Sequence, residues 1–167
     1  LARKQMAGDQ LTRTRVEIAS LIHDAIAPHA ATVAARGITV RTFIAPGTVA
    51  HTDEDALRTA IRNLIDNAVE YTHDRGAITL SAEHLVTHIR CTLTNGPTSL
   101  TPADLPNLFQ PFWRQYPARG EGEHAGLGLT IVQAVCESLG ATIATSLDDK
   151  SLRLTLDLPA GNPAAGP

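Results

Sequence analysis

Asn63 and Asn67 stand four residues apart in the run Asn63-Leu64-Ile65-Asp66-Asn67-Ala68. At about 100° per helical residue they share one helix edge, Glu70 joins them one turn on, and Tyr71 lies at the boundary. Asparagine is a poor helix former, so two carboxamides at the rim of an apolar stripe are unusual. Their neutral carbonyl oxygens suit a hard cation such as Mg²⁺ that keeps most of its waters. A second group is His124-Ala125-Gly126-Leu127-Gly128-Leu129, at the mouth of a helix. Glycines there let backbone N–H groups approach a phosphate, and the helix dipole favours the anion. A third is Asn95-Gly96-Pro97 after a strand. A fourth, Leu108-Phe109-Gln110-Pro111-Phe112-Trp113-Arg114, carries three aromatics within five residues. Taken singly, each has a plainer explanation: a polar helix edge, a loop glycine pair, a turn, a small satellite core.

The elements that must position these groups follow from hydrophobic period and turn chemistry. Residues 1–36 read as mostly helical, broken near Gly8-Asp9 and at Pro28, with Gly37 as a stop. Residues 38–44 alternate as a strand and Pro46-Gly47 turns the chain. Thr52 or Asp53 can cap a helix that runs to Tyr71 on the stripe Leu57, Ala60, Ile61, Leu64 and Ala68. Two alternating strands follow around Ile78–Ala82 and Ile89–Leu93. A short helix is expected at 103–109, capped by Thr101, then a long, polar, glycine- and proline-bearing connection over 111–125. A helix over 126–139 ends at Gly140. A hairpin turning at Asp148-Asp149 closes the chain, its second arm being Leu152, Leu154, Leu156 and Leu158. This order predicts an α/β fold: a two-layer α/β sandwich, its mixed, mostly antiparallel sheet covered by helices on one face.

In this order the four groups resemble the N, G1, F and G2 boxes of the histidine-kinase branch of the GHKL ATPases, over residues 16–158. The resemblance implies the Bergerat ATP-binding fold and the catalytic domain of a bacterial two-component sensor histidine kinase. It implies ATP in a pocket between the Asn67 helix and an ATP lid at 111–125. Asn67 would hold Mg²⁺, and Asn63 would sit near the phosphates and the waters of the metal. Tyr71 would pack near adenine or ribose. Gly126, Leu127, Gly128 and Leu129 would meet the triphosphate. Phe109 belongs to the F box, and Asn95 and Pro97 to the adenine-reading G1 loop. Arg114 and Arg119 are candidates to neutralise charge developing on the γ-phosphoryl group. The water-splitting branch, such as DNA gyrase, has a glutamate where Asn63 stands. An amide is no base at neutral pH, so Asn63 favours kinase over hydrolase.

Departures from the family pattern predict weaker nucleotide binding. Asn95 stands in the place of the adenine-reading aspartate and has lost its charge. Pro97 and Ser99 replace the usual glycines. Glu70 replaces a usual basic residue and repels phosphate if it points inward. The alternatives are a degenerate nucleotide- or partner-binding module and a GHKL serine kinase of the anti-sigma type.

The 167 residues suffice for one core, and 14 Lys+Arg against 17 Asp+Glu leave no basic stripe for nucleic acid. Cys91 and Cys136 have no metal-ligand neighbours and read as buried free thiols. His23-Asp24 lacks the rest of a phosphoacceptor motif, so His23, His29, His51 and His73 read as surface histidines. The expected organisation is the end of a dimerisation helix or linker at 1–15, a kinase domain at 16–158 and a disordered tail at 159–167. The resemblance further implies a separate dimerisation and histidine-phosphotransfer domain, a response regulator and a homodimeric full-length protein. That protein would be anchored upstream in the bacterial inner membrane with this domain in the cytoplasm.

Overall fold

A computed structural model describes residues 11–114 and 126–160. The described residues open as a strand, not a helix. Strand β1 (Arg13–Glu17) is followed by α1 (Ile18–Ile26), a 3-10 turn at Ala27–His29 around Pro28, and α2 (Ala30–Ala35). Then come β2 (Thr39–Ile44), β3 (Val49–Asp53), α3 (Glu54–Tyr71), β4 (Ala77–His84) and β5 (His88–Gly96). A 3-10 turn at Leu105–Asn107, α4 (Gly128–Leu139), β6 (Thr142–Asp148) and β7 (Ser151–Pro159) complete it.

β1 and β3 pair antiparallel, Val16 opposite Ala50. Val16 and Ala50 face inward, at 2% and 0% exposure, and Thr52 of β3 is buried beside them at 7%. Over residues 13–17 the expected helix fails because the apolar residues of a strand and of the helix after it run together, while Ile18–Ile26 and Ala30–Ala35 are helical as expected. Val16 belongs to the pleat and Ile18 starts α1, with Glu17 at the junction in an extended conformation. The strand draws residues 13–15 into the ribbon, while residues 1–10 lie outside the described ones.

The main sheet has the order β2-β4-β5-β7-β6, with only the β2–β4 pair parallel. Ile78, Leu80, Ile89, Leu93 and the four alternating leucines of β7 supply its buried face. The seven buried residues of α3 join them in one core with Leu21, Ile22, Val132 and Cys136. Hydrophobic burial along this interface is the main stabilising term. Asp53 caps α3 by accepting from Ala56 N at 2.9 Å, and it also accepts from Thr12 N at 2.9 Å. Those backbone donors, Ala56 first, hold its carboxyl below the usual aspartate value.

Four local readings need correction. The expected helix at 103–109 is a single 3-10 turn. There Thr101 donates its amide and hydroxyl to the Asp104 carboxylate at 2.7 and 2.8 Å rather than capping, and the turn has no side-chain cap bond. α4 starts at Gly128 rather than Gly126 and ends on the left-handed Gly140. The β6–β7 turn falls on Asp149-Lys150, both with positive φ, between the paired Asp148 and Ser151. Two left-handed residues give the turn a twist that matches its strands.

Arg90 and Asp157 face each other across β5 and β7 and make two hydrogen bonds, 2.8 and 2.7 Å. Arg90 holds the Asp157 carboxyl below its ordinary value of 3.8. A group with a lowered folded pKa stabilises the fold above its unfolded value and loses that contribution as pH falls through the folded one. Asp157→Asn is therefore expected to melt below the unsubstituted chain at pH 7. The gap should close as the pH falls below 3.8. Melting curves across that range check it, and a pH-independent gap would assign the loss to packing instead.

Candidate functional site

The C-terminal half of α3 forms one wall of a cavity of about 400 Å³. The end of β5 forms its floor, Trp113 and Arg114 stand on one side, and Gly126 and the start of α4 close another. The structure thus brings Asn67, Tyr71, Asn95, Arg114, Gly126, Gly128 and Leu129 to one place from four separate stretches of chain. It does not bring all the sequence candidates there. Asn63 is half-buried and donates to the Thr59 carbonyl of its own helix at 2.8 Å. Pro97 is exposed, Leu127 is the N-cap residue of α4, and Phe109 packs against the core. Arg119 and most of the expected lid, residues 115–125, lie outside the described residues.

Helices α3 and α4 meet at the cavity, and the contact explains Gly128. A Cβ built there would lie 2.9 Å from Asn67 Nδ2 and 3.1 Å from Oδ1. The small first residue of α4 leaves room for the Asn67 carboxamide to sit against the helix mouth. Gly126 has φ +69, a conformation that L side chains avoid, and its carbonyl accepts from Phe112 N at 3.0 Å. The Thr130 hydroxyl donates to the Phe109 carbonyl at 3.0 Å, so α4 and the aromatic segment are tied together at the cavity edge.

Glu70 points inward. Arg114 donates to its Oε1 at 3.1 Å, while Oε2 is buried with no hydrogen-bond partner among the described residues. Tyr71 first, and Glu70 after it, hold the Arg114 guanidinium above its ordinary pKa. The sequence could not show that Glu70 and Arg114, 44 residues apart, would pair at the cavity wall.

Two wall residues escaped the sequence reading. Arg36 donates to the Val69 carbonyl at 2.5 Å, to the Thr72 carbonyl, and to Asp74 Oδ1 at 2.8 Å. It satisfies the open carbonyls at the C-terminus of α3 from outside that helix. Thr72, 1% exposed, donates its hydroxyl to Ala68 O at 2.6 Å and accepts from Asn95 Nδ2 at 3.3 Å. Its only sequence signal is a hydroxyl residue just past a helix end. A surface reading of His29 also fails, because it bonds Asp66 Oδ1 at 2.7 Å and is half-buried. The two cysteines lie away from the cavity lining. Burial pushes the Cys91 thiol up to about 12 and the Cys136 thiol up to about 11, so neither is a nucleophile at neutral pH.

A family model described as histidine kinase-, DNA gyrase B-, and HSP90-like ATPase matches residues 52–162, which include α3, α4 and all of the cavity lining but Arg36. The chain belongs to this ATPase family. Membership implies ATP binding, and it fits the expected α/β sandwich. The sensor histidine kinase CusS of Escherichia coli K12 is 32% identical over 126 residues, 75% of this chain and 26% of that protein. The sensor-like histidine kinase SenX3 of Mycobacterium tuberculosis H37Rv is 29% identical over 162 residues, 96% of this chain and 40% of that one. The chain thus spans well under half the length of these relatives. The catalytic domain of histidine kinase ThkA superposes with a TM-score of 0.78 at 20% identity, covering 90% of this chain and 96% of that one. Full-length ShkA in complex with AMPPNP gives 0.79 at 22%, covering 93% and 33%. Among the described residues of this ATPase-family chain, no helix is long and apolar enough to cross a membrane.

Proposed function

We propose that this chain is the ATP-binding catalytic domain of a sensor histidine kinase. It transfers the γ-phosphoryl group of ATP to a histidine on a separate dimerisation domain, for relay to a response regulator. The observation that carries the reading is the convergence of Asn67, Asn95 and the Gly128 helix mouth on one cavity. Sensor kinases among the relatives support it, as does the resolved complex of ThkA with its response regulator TrrA. The inner membrane as the seat of the full-length homodimer, with this domain on the cytoplasmic side, belongs to the same reading.

In this reading adenine meets Asn95 and Tyr71 flanks the sugar or base. The phosphates lie toward Gly126, Gly128 and the positive end of the α4 dipole. Asn67 offers a neutral oxygen at the cavity wall, which suits a hard divalent cation that keeps most of its waters. Mg²⁺ held there would neutralise phosphate charge. Arg114 supplies a fixed positive charge at the wall, shared with Glu70 until phosphate competes for it. Asn63, bonded back to its own helix, activates no water, which favours transfer over hydrolysis. Arg119 is retained as a second cation.

The test joins this domain to its own upstream phosphoacceptor hairpin and supplies labelled ATP with Mg²⁺. Acid-labile, alkali-stable phosphohistidine is expected. ATP binding without phosphohistidine would favour a degenerate binding module, for which the altered Asn95 and Glu70 speak. Phosphoserine on a partner would favour the anti-sigma type.

Glu70 gives a separate expectation. Glu70→Gln removes a carboxylate from the phosphate side of the cavity and frees Arg114. Affinity for Mg-ATP should rise by about 1 kcal/mol, roughly fivefold in Kd. Titration calorimetry measures it. Weaker binding would mean that Glu70 holds the cation or aims Arg114.

A further inference from the structure

An aspartate reading a purine amine has two oxygens and needs no orientation. An asparagine is different. Its amide carries one acceptor and one donor group, and a half-turn exchanges them at almost no steric cost. Unfixed, Asn95 could accept from the 6-amino group of adenine or donate to the 6-oxo group of guanine or hypoxanthine. Selectivity for adenine then requires a second residue that decides which end of the amide faces the base.

Thr72 is placed to decide it. Its hydroxyl proton is committed to Ala68 O at 2.6 Å, the back-bond of a hydroxyl residue to the carbonyl four residues earlier. Only lone pairs remain on Oγ1, so the Asn95 atom facing it must be the N–H₂ donor, and Nδ2 lies there at 3.3 Å. Reversing the amide would set two oxygens against each other, or break the 2.6 Å bond. Asn95 is 2% exposed and Thr72 1%, so neither change occurs in open solvent. Both line the cavity, and Oδ1 is left as the acceptor the amide can offer a ligand there.

We propose that Thr72 is a positioning residue that fixes the Asn95 amide with its oxygen toward the base, making a neutral side chain selective for 6-amino over 6-oxo purines. This rests on the reading that Asn95 meets the base.

The test uses the 167-residue chain and the non-hydrolysable β,γ-imido analogues of ATP, ITP and purine riboside triphosphate, which lacks the 6-substituent. The unsubstituted chain should bind the ATP analogue roughly tenfold tighter than the ITP analogue, because the 6-oxo group faces an acceptor. In Thr72→Val the amide is free to turn. The ATP-to-ITP ratio should fall to about one, mainly through tighter ITP binding, while affinity for the purine analogue stays within about twofold. Thr72→Ser keeps the hydroxyl and should keep the ratio. Asn95→Asp added to Thr72→Val should restore it, since both oxygens then accept. A purely structural role for Thr72 would weaken all three ligands together and leave the ratio alone. If Thr72→Val unfolds, Thr72→Ala removes the same hydroxyl without the added methyl. A ratio unchanged in the folded hydroxyl-free variant overturns the role of Thr72 while leaving Asn95 in contact with the base. An unsubstituted chain that binds all three analogues equally overturns the Asn95 reading itself.

Discussion

Asn67→Ala is expected to abolish Mg²⁺-dependent nucleotide binding and leave the fold standing. Asn67 sits on the edge of α3 at the cavity, half-buried, while Leu64, Ile65 and Ala68 beside it carry the burial. Truncating it removes the neutral oxygen assigned to the cation and opens no hole in the core. Without that ligand the triphosphate charge would face Glu70 unscreened. The affinity for a non-hydrolysable ATP analogue in Mg²⁺ should fall roughly a hundredfold or more, toward its value in chelator. Stability should move by no more than about 0.5 kcal/mol, the range of an ordinary surface substitution. Calorimetric titration with and without Mg²⁺, beside a melting curve, separates the two effects. An unchanged magnesium dependence would remove Asn67 from the site.

The second large effect is expected at Gly128, and it should be graded. An alanine Cβ would lie 2.9 Å from Asn67 Nδ2, the far end of a side chain that can shift by a few tenths of an ångström. Gly128→Ala should therefore weaken nucleotide binding only modestly. Gly128→Val adds two γ-carbons beyond that point and must drive the carboxamide out of its place. Its loss of affinity should approach that of Asn67→Ala, and combining the two should add little, since both act through one side chain. The fold should tolerate both changes, because replacing glycine at the start of a helix reduces the freedom of the unfolded chain. Binding by Gly128→Val close to that of the unsubstituted chain would show that the contact does not position Asn67.

Much of this protein was legible in local pattern. The stripe from Leu57 to Ala68 gave α3, and Asp53, one of two expected caps, closes its first turn. The alternation of Leu152, Leu154, Leu156 and Leu158 gave β7, and Gly140 gave the end of α4. These signals are legible because helix and strand periods and cap chemistry act within a few residues. Along with the order of the asparagine and glycine groups, they determined the layers of the fold and the family to which the chain belongs.

Tertiary structure alone decided what depends on partners distant in sequence. Strand β1 exists because its backbone pairs with β3, with Arg13 opposite Asp53, and no period in five residues, four of them polar, announces that pairing. Asn63 and Asn67 share a helix edge, yet only the second lines the cavity, set against Gly128 of α4, so packing rather than spacing chose between them. Glu70 turned inward because Arg114 came to meet it. The Asn95 amide took its orientation from Thr72, 23 residues earlier, through one hydroxyl proton already held by Ala68. Residue types and local period fixed which groups could do chemistry here. Which of them share a cavity, and which way each faces, was settled by hydrogen bonds and contacts that form only when the chain closes on itself.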